Sequence, residues 1–184
     1  MKELSLNILD VAENSVKAGA ELTQIIIDET DEALVLKIID NGCGMSEDVV
    51  RSVIDPFYTT RTTRKVGLGV PLLKLAAEQT GGSFSINSKS SAEYPIEHGT
   101  KVEARFCKNH IDFTPLGDVI SSITTLIQGH PDTDFLFSHT LSGKVCAELD
   151  TREIRKALDG VPLCEYEVIK WIEEYLKEQY AENK

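Results

Sequence analysis

The stretch IIDNGCGM, residues 38–45, decides how the rest of the chain is read. Val35, Leu36, Ile38 and Ile39 build a strand that belongs in a core, and Asp40-Asn41-Gly42-Cys43-Gly44 stops it in a glycine-bearing turn. Asp40 therefore falls at the mouth of that core. Gly42 and Gly44 let the backbone take positive φ and come close to something flat or charged. Taken alone, Asp40-Asn41-Gly42 is also simply a good turn. What separates the two readings is whether the chain supplies the other parts of a nucleotide pocket in a workable order.

Upstream, residues 3–18 have helical periodicity, with Leu4, Ile8, Val11, Ala12 and Ser15 on one side. Asn7, Asp10, Asn14 and Lys17 form a polar stripe along the same helix, which a solvated face explains equally well. Gly19 suits the position just past the helix end. Strands are expected near 22–28 and 33–40. Downstream of the turn, Ser46 reads as an N-cap, with Glu47 and Asp48 in a first turn that favours acids, for a helix to about residue 54. DPFYTTRTTRKVGLG, residues 55–69, has no apolar period and is expected to form a mobile loop. A helix over 70–80 follows, with Pro71 tolerated in its first turn, then strands near 83–88 and 100–107.

These parts can be assembled chemically. Val66-Gly67-Leu68-Gly69 runs into a helix, and helix N-termini favour anions. The loop before it carries Arg61, Arg64 and Lys65, donors suited to phosphate oxygens. Asp40 could accept from an exocyclic amino group such as adenine N6, and a carboxylate so used would reject a keto purine by ~10⁴. Asn14 supplies a neutral oxygen of the kind Mg²⁺ takes beside nucleotide phosphates. Asp10, one turn earlier, could orient or deprotonate a water there.

Composition narrows the classes. The chain has 184 residues, 41% hydrophobic and 27% charged, and a formal charge of −11 with a pI near 4.8. That argues against coating nucleic acid or an anionic membrane. Cys43, Cys107, Cys146 and Cys164 show no ligand spacing, so neither a zinc site nor a disulfide framework is expected, and the last three read as core. Cys43 reads as a small residue packed in the turn, with redox sensing as the other reading. No signal peptide and no apolar run of about 18 residues is seen, so a cytoplasmic location is expected.

Beyond Cys107 the pattern changes, so domains are expected over 1–108 and 109–184. The second is an α+β unit: a helix at 116–129, strands at 133–140 and 144–149, and helices at 151–158 and 165–180. Asp150 and Glu153 form a capping box for the helix at 151. Trp171 reads as packing or interface. Lys144 reads as a solvated turn lysine, with reach to a γ-phosphate as the alternative.

The order of ENSVKAGA, DNGCGM, DPFYTTR, GLG and the late Gly99-Thr100 resembles the GHKL superfamily of gyrase, heat-shock chaperone, histidine kinase and MutL ATPases. Residues 10–20 are similar to the MutL N box, and 55–107 more similar to sensor and anti-sigma-factor kinases. The resemblance implies a Bergerat-type α/β sandwich, helices on one face of a mixed sheet, binding Mg-ATP. It implies Asn14 as magnesium ligand, Asp40 as adenine acceptor, and Gly42, Gly44 and Met45 beneath the base. Phe57 becomes the lid anchor, Gly67 and Gly69 the phosphate-loop glycines, and Thr100 the threonine near adenine.

Three departures qualify the activity implied. Asp10 stands where hydrolysing members have glutamate, and a catalytic group misplaced by ~1 Å can cost ~10²-fold. The four histidines lie in loop or strand contexts, so phosphorylation on histidine in cis is not expected. The strand usual before the N-box helix is missing, and either the 133–149 hairpin or a second subunit is expected to cover the edge left bare. The resemblance therefore implies a protein kinase acting in trans or a slow ATPase, with a protein partner, or else a non-catalytic ATP-dependent switch. A mismatch-repair clamp fits poorly, because the chain is short and −11 suits no DNA grip.

Overall fold

The structure, a computed structural model, describes residues 3–55 and 68–183. In chain order they form α1 (Leu4–Lys17), β1 (Leu22–Glu29), β2 (Ala33–Asp40), α2 (Glu47–Ile54), α3 (Gly69–Gln79), β3 (Ser83–Lys89), β4 (Gly99–Cys107), α4 (Val119–Gly129), β5 (Asp134–Leu141), β6 (Lys144–Asp150), α5 (Thr151–Leu158) and α6 (Tyr166–Glu182). The strands follow from alternation. Ile25 and Ile27 of β1, Leu34, Leu36 and Ile38 of β2, and Val102, Ala104 and Phe106 of β4 are buried while most of their neighbours stay partly exposed. One face of the sheet is therefore apolar, and α1, α3, α4 and α6 add Ile8, Leu73, Ile123 and Ile172 to the same core.

The strand order is β3-β4-β2-β1-β5-β6. Every neighbouring pair is antiparallel except β1 and β5, which run parallel with Ile25 opposite Phe137. The result is the α+β sandwich with a mixed sheet that the motifs imply. The 133–149 hairpin is what lies along the free edge of β1, so the sheet and its core run continuously from residues before 108 to residues after it.

Helix ends are set by local chemistry. Gly19 and Gly81 take φ of +73° and +75°, and each ends its helix with the paired bonds of a Schellman motif: Gly19 N–H to Val16 O and Ala20 N–H to Ser15 O, then Gly81 to Glu78 and Gly82 to Ala77. Ser46 precedes α2 in an extended conformation, but its side chain makes no capping bond. Helix α4 starts at Val119, not 116, because Asp118 takes the cap, accepting from Ser121 N–H at 3.0 Å. The carbonyls of Pro115 and Leu116 are used elsewhere, accepting from Leu4 and Ser5 N–H at 2.9 and 2.8 Å. The start of α1 is thus capped by the chain segment that follows β4. Asp150 caps α5 through Arg152 N–H, whereas Glu153 turns to Lys156, so the reciprocal half of the expected capping box is absent. Of the three cysteines read as core, Cys146 is buried, and Cys107 and Cys164 are half-buried.

A polar network closes the far end of the β1–β5 seam. Lys108 Nζ donates to Glu29 Oε1 at 2.6 Å, and His139 Nε2–H donates to Glu29 Oε2 at 3.2 Å. His139 Nδ1 then accepts from the Tyr180 hydroxyl at 2.8 Å, and the Cys146 thiol donates to His139 O. Lys144 is exposed at this same end, paired with Leu141, which lies opposite Glu29. Asp40 lies opposite Thr23, six residues back along β1, which places the two about 20 Å apart. Lys144 thus stands at the opposite end of the sheet from Asp40. Among the described residues no helix is long and apolar enough to cross a membrane.

Burial holds the His139 imidazole below its ordinary 6.5, and Glu29 and Asp28 oppose that shift while Lys108 reinforces it. The folded state therefore keeps His139 neutral, and the unfolded chain takes up the proton first as pH falls. Stability from this site is present above about pH 6.5 and is lost as pH drops below it. Urea midpoints measured between about pH 7.5 and about pH 5.5 are expected to fall less in His139→Gln than in the parent. Equal slopes would show that His139 does not titrate in this window.

Candidate functional site

The site is built where β2 ends. Asp40 Oδ1 accepts from Gly42 N–H at 2.9 Å and Thr100 N–H at 3.2 Å, and Oδ2 accepts from the Ser15 hydroxyl at 2.7 Å. One carboxylate therefore joins the turn, β4 and α1. Asn41 fixes the turn from outside, its side-chain oxygen accepting from Glu21 and Leu22 N–H, both at 2.9 Å. His98 Nδ1–H donates to Gly42 O at 2.6 Å. Met45 N–H donates to Ser88 Oγ at 2.8 Å, and Ser88 also meets Thr100 Oγ1 at 2.8 Å.

The glycines are required by close approach. A Cβ on Gly42 would lie 2.9 Å from Ala18 Cβ and 3.1 Å from Asp40 Oδ1. Gly44 has φ +63°, and a Cβ there would sit 1.9 Å from the Lys89 carbonyl oxygen. A Cβ on Gly69 would meet Asp10 Cβ at 2.8 Å, so the first residue of α3 rests directly on α1 beside Asp10.

Between these elements lies a cavity of about 240 Å³. Its walls are apolar, with Val11, Val49, Val53, Val70 and Val102 from four helices and strands, and Asp40, Asn14, Gly44, Met45 and Thr100 border it. Asp10 is exposed one turn before Asn14 and outside the cavity lining; Leu68 is exposed at the N-cap of α3. Phe57, Arg61, Lys65 and Gly67 lie outside the described residues. Cys43 is exposed at the cavity and not packed away as the turn reading expected.

Sequence reading missed three contributors. Ser15 sat on the apolar side of α1, and its signal was there: a hydroxyl on a buried face needs a partner. Ser88 and His98 left no signal in composition or spacing. Ser88 is found only through the β3–β4 register that places it opposite Thr100.

The sequence profile of the histidine kinase-, DNA gyrase B- and HSP90-like ATPase family matches residues 2–110. This chain belongs to that family. Among its relatives, the sensor protein KdpD of Clostridium acetobutylicum is 31% identical over 96 residues, 50% of this chain and 11% of that protein. The sensor protein SrrB of Staphylococcus aureus is 32% identical over 94 residues, 48% of this chain and 16% of that one. The chain thus spans only a small part of these kinases' length. By structure it is similar to the Aquifex aeolicus MutL ATPase domain complexed with ADP, with a TM-score of 0.57 and 15% identity over 86% of this chain and 70% of that one. It is also similar to the N-terminal domain of a DNA repair protein, with a TM-score of 0.52 and 16% identity over 81% of this chain and 53% of that one. At such identities the likeness is one of fold.

The residues present fit the nucleotide of a histidine kinase-like ATPase. The Asp40 carboxylate stands at the cavity with its geometry fixed by three donors, and Gly42 and Gly44 let the turn fold closely onto Ala18 and Lys89, where a Cβ would clash. Thr23, opposite Asp40 in register, is fully buried, and its hydroxyl has no partner among the described residues. Among those residues no group of three or more His, Cys, Asp or Glu could hold a metal by itself. Asn14 would hold Mg²⁺ by its amide oxygen, beside phosphate and water ligands of the kind that ion takes.

Gly44 and Gly19 separate space from strain. Both have positive φ, but a Cβ on Gly19 meets nothing within 4 Å. Gly19→Ala is expected to cost about 1–2 kcal/mol. Gly44→Ala, which must also displace the Lys89 backbone, is expected to cost more than about 3 kcal/mol in chemical denaturation. Equal costs would mean that the turn is not held against β3.

Proposed function

We propose that this chain binds Mg-ATP, with adenine in the cavity and its amino group donating to Asp40. The supporting observation is the Asp40 carboxylate, fixed by Ser15, Gly42 and Thr100 at a cavity with largely apolar walls that Asn14, Lys17 and Thr100 also line. An acceptor held so firmly favours an exocyclic amine over a keto oxygen, because it cannot turn away from a second acceptor. Gly42, Gly44 and Met45 lie beneath the base, with Thr100 beside it. Asn14 holds Mg²⁺, which neutralises phosphate charge when bound. Gly69, at the start of α3, and Gly67, Leu68, Arg61 and Lys65 before it, receive the phosphates, and Phe57 anchors the lid.

Chemically the protein is a phosphoryl-transfer enzyme: a regulatory kinase acting in trans on another protein, or a slow ATPase. Asp10 lies against Gly69 one turn from Asn14, where it can take a proton from an attacking water or acceptor hydroxyl. Residues 1–108 carry the nucleotide, and 109–184 form a companion part that engages the partner. A second reading, an ATP-dependent switch without chemistry, draws on a different observation: the first turn of α1 is capped by Pro115 and Leu116, and Glu13 meets His130 Nε2 at 2.7 Å. Nucleotide seated on α1 therefore acts on a helix already tied to the companion part. We place the protein in the cytoplasm.

Mg-ATP at ~100 times its Kd adds ~2.7 kcal/mol of stability, and each kcal/mol is worth ~2–4 °C in a chain of this size. The expected result is a rise in Tm of several degrees with ATP, none with GTP, and none with ATP in Asp40→Asn. Equal shifts with both nucleotides would sink the adenine assignment. ADP formation decides between the two readings. Slow turnover is expected, lost in Asp10→Asn while the ATP-induced shift remains. Binding without ADP or phosphoprotein would leave the switch.

A further inference from the structure

A cavity that the motifs leave unexplained lies in the companion part. It has a volume of about 520 Å³, between the β5–β6 hairpin, α5 and α6. Register builds it: Leu136 is opposite Asp150, and Ser138 opposite Glu148, so these four share one sheet face. Ile154 and Ala157 of α5 continue the apolar floor. Trp171 and Tyr175, one turn apart on α6, form the wall, with rings stacked at 5.0 Å and an interplanar angle of 9°. They remain 50% and 37% exposed, an unusual cost for two large aromatics with a core within reach.

We propose that this groove binds a basic, apolar segment of a partner protein, arginine or lysine alternating with leucine-like residues. Charge selects the occupant. Every side chain lining the groove that is charged at neutral pH is a carboxylate: Glu148, Asp150 and Glu153. Asp150 is held by Arg152 in a bidentate pair, Nε donating to Oδ1 at 2.9 Å and Nη2 to Oδ2 at 2.7 Å, whereas Glu153 meets Lys156 in an exposed pair of the kind that contributes little. The Glu148 carboxylate has no cation among the described residues. Helix α6 adds five acids against two lysines and α5 three cations against one acid, so with Glu148 and Asp150 the surround holds eight acids to five cations and stays negative. A guanidinium over Trp171 gains cation–π attraction, the side chains between the charges fill the Leu136–Ile154 floor, and the acids meet the cations. A second copy of the chain would bring acid rim against acid rim, and nucleic acid is repelled outright. Strand addition at β6 is also blocked, because Gln179 occupies both backbone groups of Glu148, donating to its carbonyl at 3.0 Å and accepting from its N–H at 2.9 Å.

Trp171 is the sole tryptophan, so its emission reports on the groove directly. The intact protein is titrated with a short peptide alternating arginine and leucine, and with its glutamate–leucine counterpart. The arginine peptide is expected to give a saturable change that weakens as salt rises, and the glutamate peptide none. In Glu148→Gln with Glu153→Gln the affinity is expected to fall about tenfold, although the chain stays strongly acidic. That separates the groove from bulk attraction; Asp150 is left intact because it caps α5. Binding of a labelled arginine peptide is expected to be lost in Trp171→Ala, whose unchanged melting temperature verifies folding. No response, equal responses to both peptides, or full binding by the double variant overturns the proposal. So does a dimer that Trp171→Ala dissolves, since it would put a second copy in the groove. None of these outcomes depends on nucleotide binding.

Discussion

The Asp40 carboxylate is the constraint on which the cavity end of the molecule depends. A strand end exposes a row of unpaired polar groups, and a carboxylate left there would swing into solvent. Instead, both oxygens are occupied by donors from three separate places in the chain: Ser15 on α1, Gly42 in the turn, and Thr100 on β4. The helix, the turn and the neighbouring strand are thereby placed relative to one atom group, and the cavity is what remains between them. This explains why the glycines cannot be exchanged. Gly42 lies within van der Waals distance of Ala18, and Gly44 against the Lys89 carbonyl, so the turn is folded onto α1 and β3 with no room for a side chain.

The second constraint is the parallel pairing of β1 with β5. It converts what would be an open edge into the middle of a six-stranded sheet, and it brings the companion part under the same core. Parallel pairing needs a long crossover, supplied here by the chain from β2 round to α4. The outer edge of the added hairpin is then sealed by Gln179 of α6. Edge management thus runs in sequence along the sheet. The far end of the seam uses polar groups instead, with Lys108, Glu29, His139 and Tyr180 each satisfied by the next. Burial also drives the Tyr180 hydroxyl well above its ordinary value, which keeps it a donor to His139.

Much of the fold was legible because the strands are half-buried and alternate cleanly, and because both Schellman glycines announce the helix ends. Boundaries failed where the backbone groups of a segment were claimed by a distant partner. Helix α4 starts late because residues 115–116 cap α1, a bond across more than a hundred residues that no local pattern contains. The capping box at Asp150 failed for the opposite reason: Lys156, three residues on, holds the Glu153 carboxylate instead. At the site, Asp40, Gly42 and Gly44 were legible because aspartate and glycine carry specific chemistry at a strand end. Ser88 and His98 were not, since a serine in a strand and a histidine in a loop take their roles from register alone.

The dependence of α1 on the companion part has a mechanical consequence. Asn14 and Ser15 stand on a helix whose first two N–H groups are capped by Pro115 and Leu116, whose Ser5 carbonyl accepts from Ser122, and whose Glu13 meets His130 at the end of α4. Helix α4 in turn packs against α6, the helix that carries Trp171. The position of the polar stripe on α1 is therefore set from both sides: by Asp40 through Ser15 at one end, and by α4 at the other. A shift of α1 toward Asp40 would load its bonds to Leu116, Ser122 and His130, and a shift of α4 would load the same bonds from the other side. Any such coupling is reciprocal by necessity, because the cavity residues of α1 and the residues of α4 share one set of contacts.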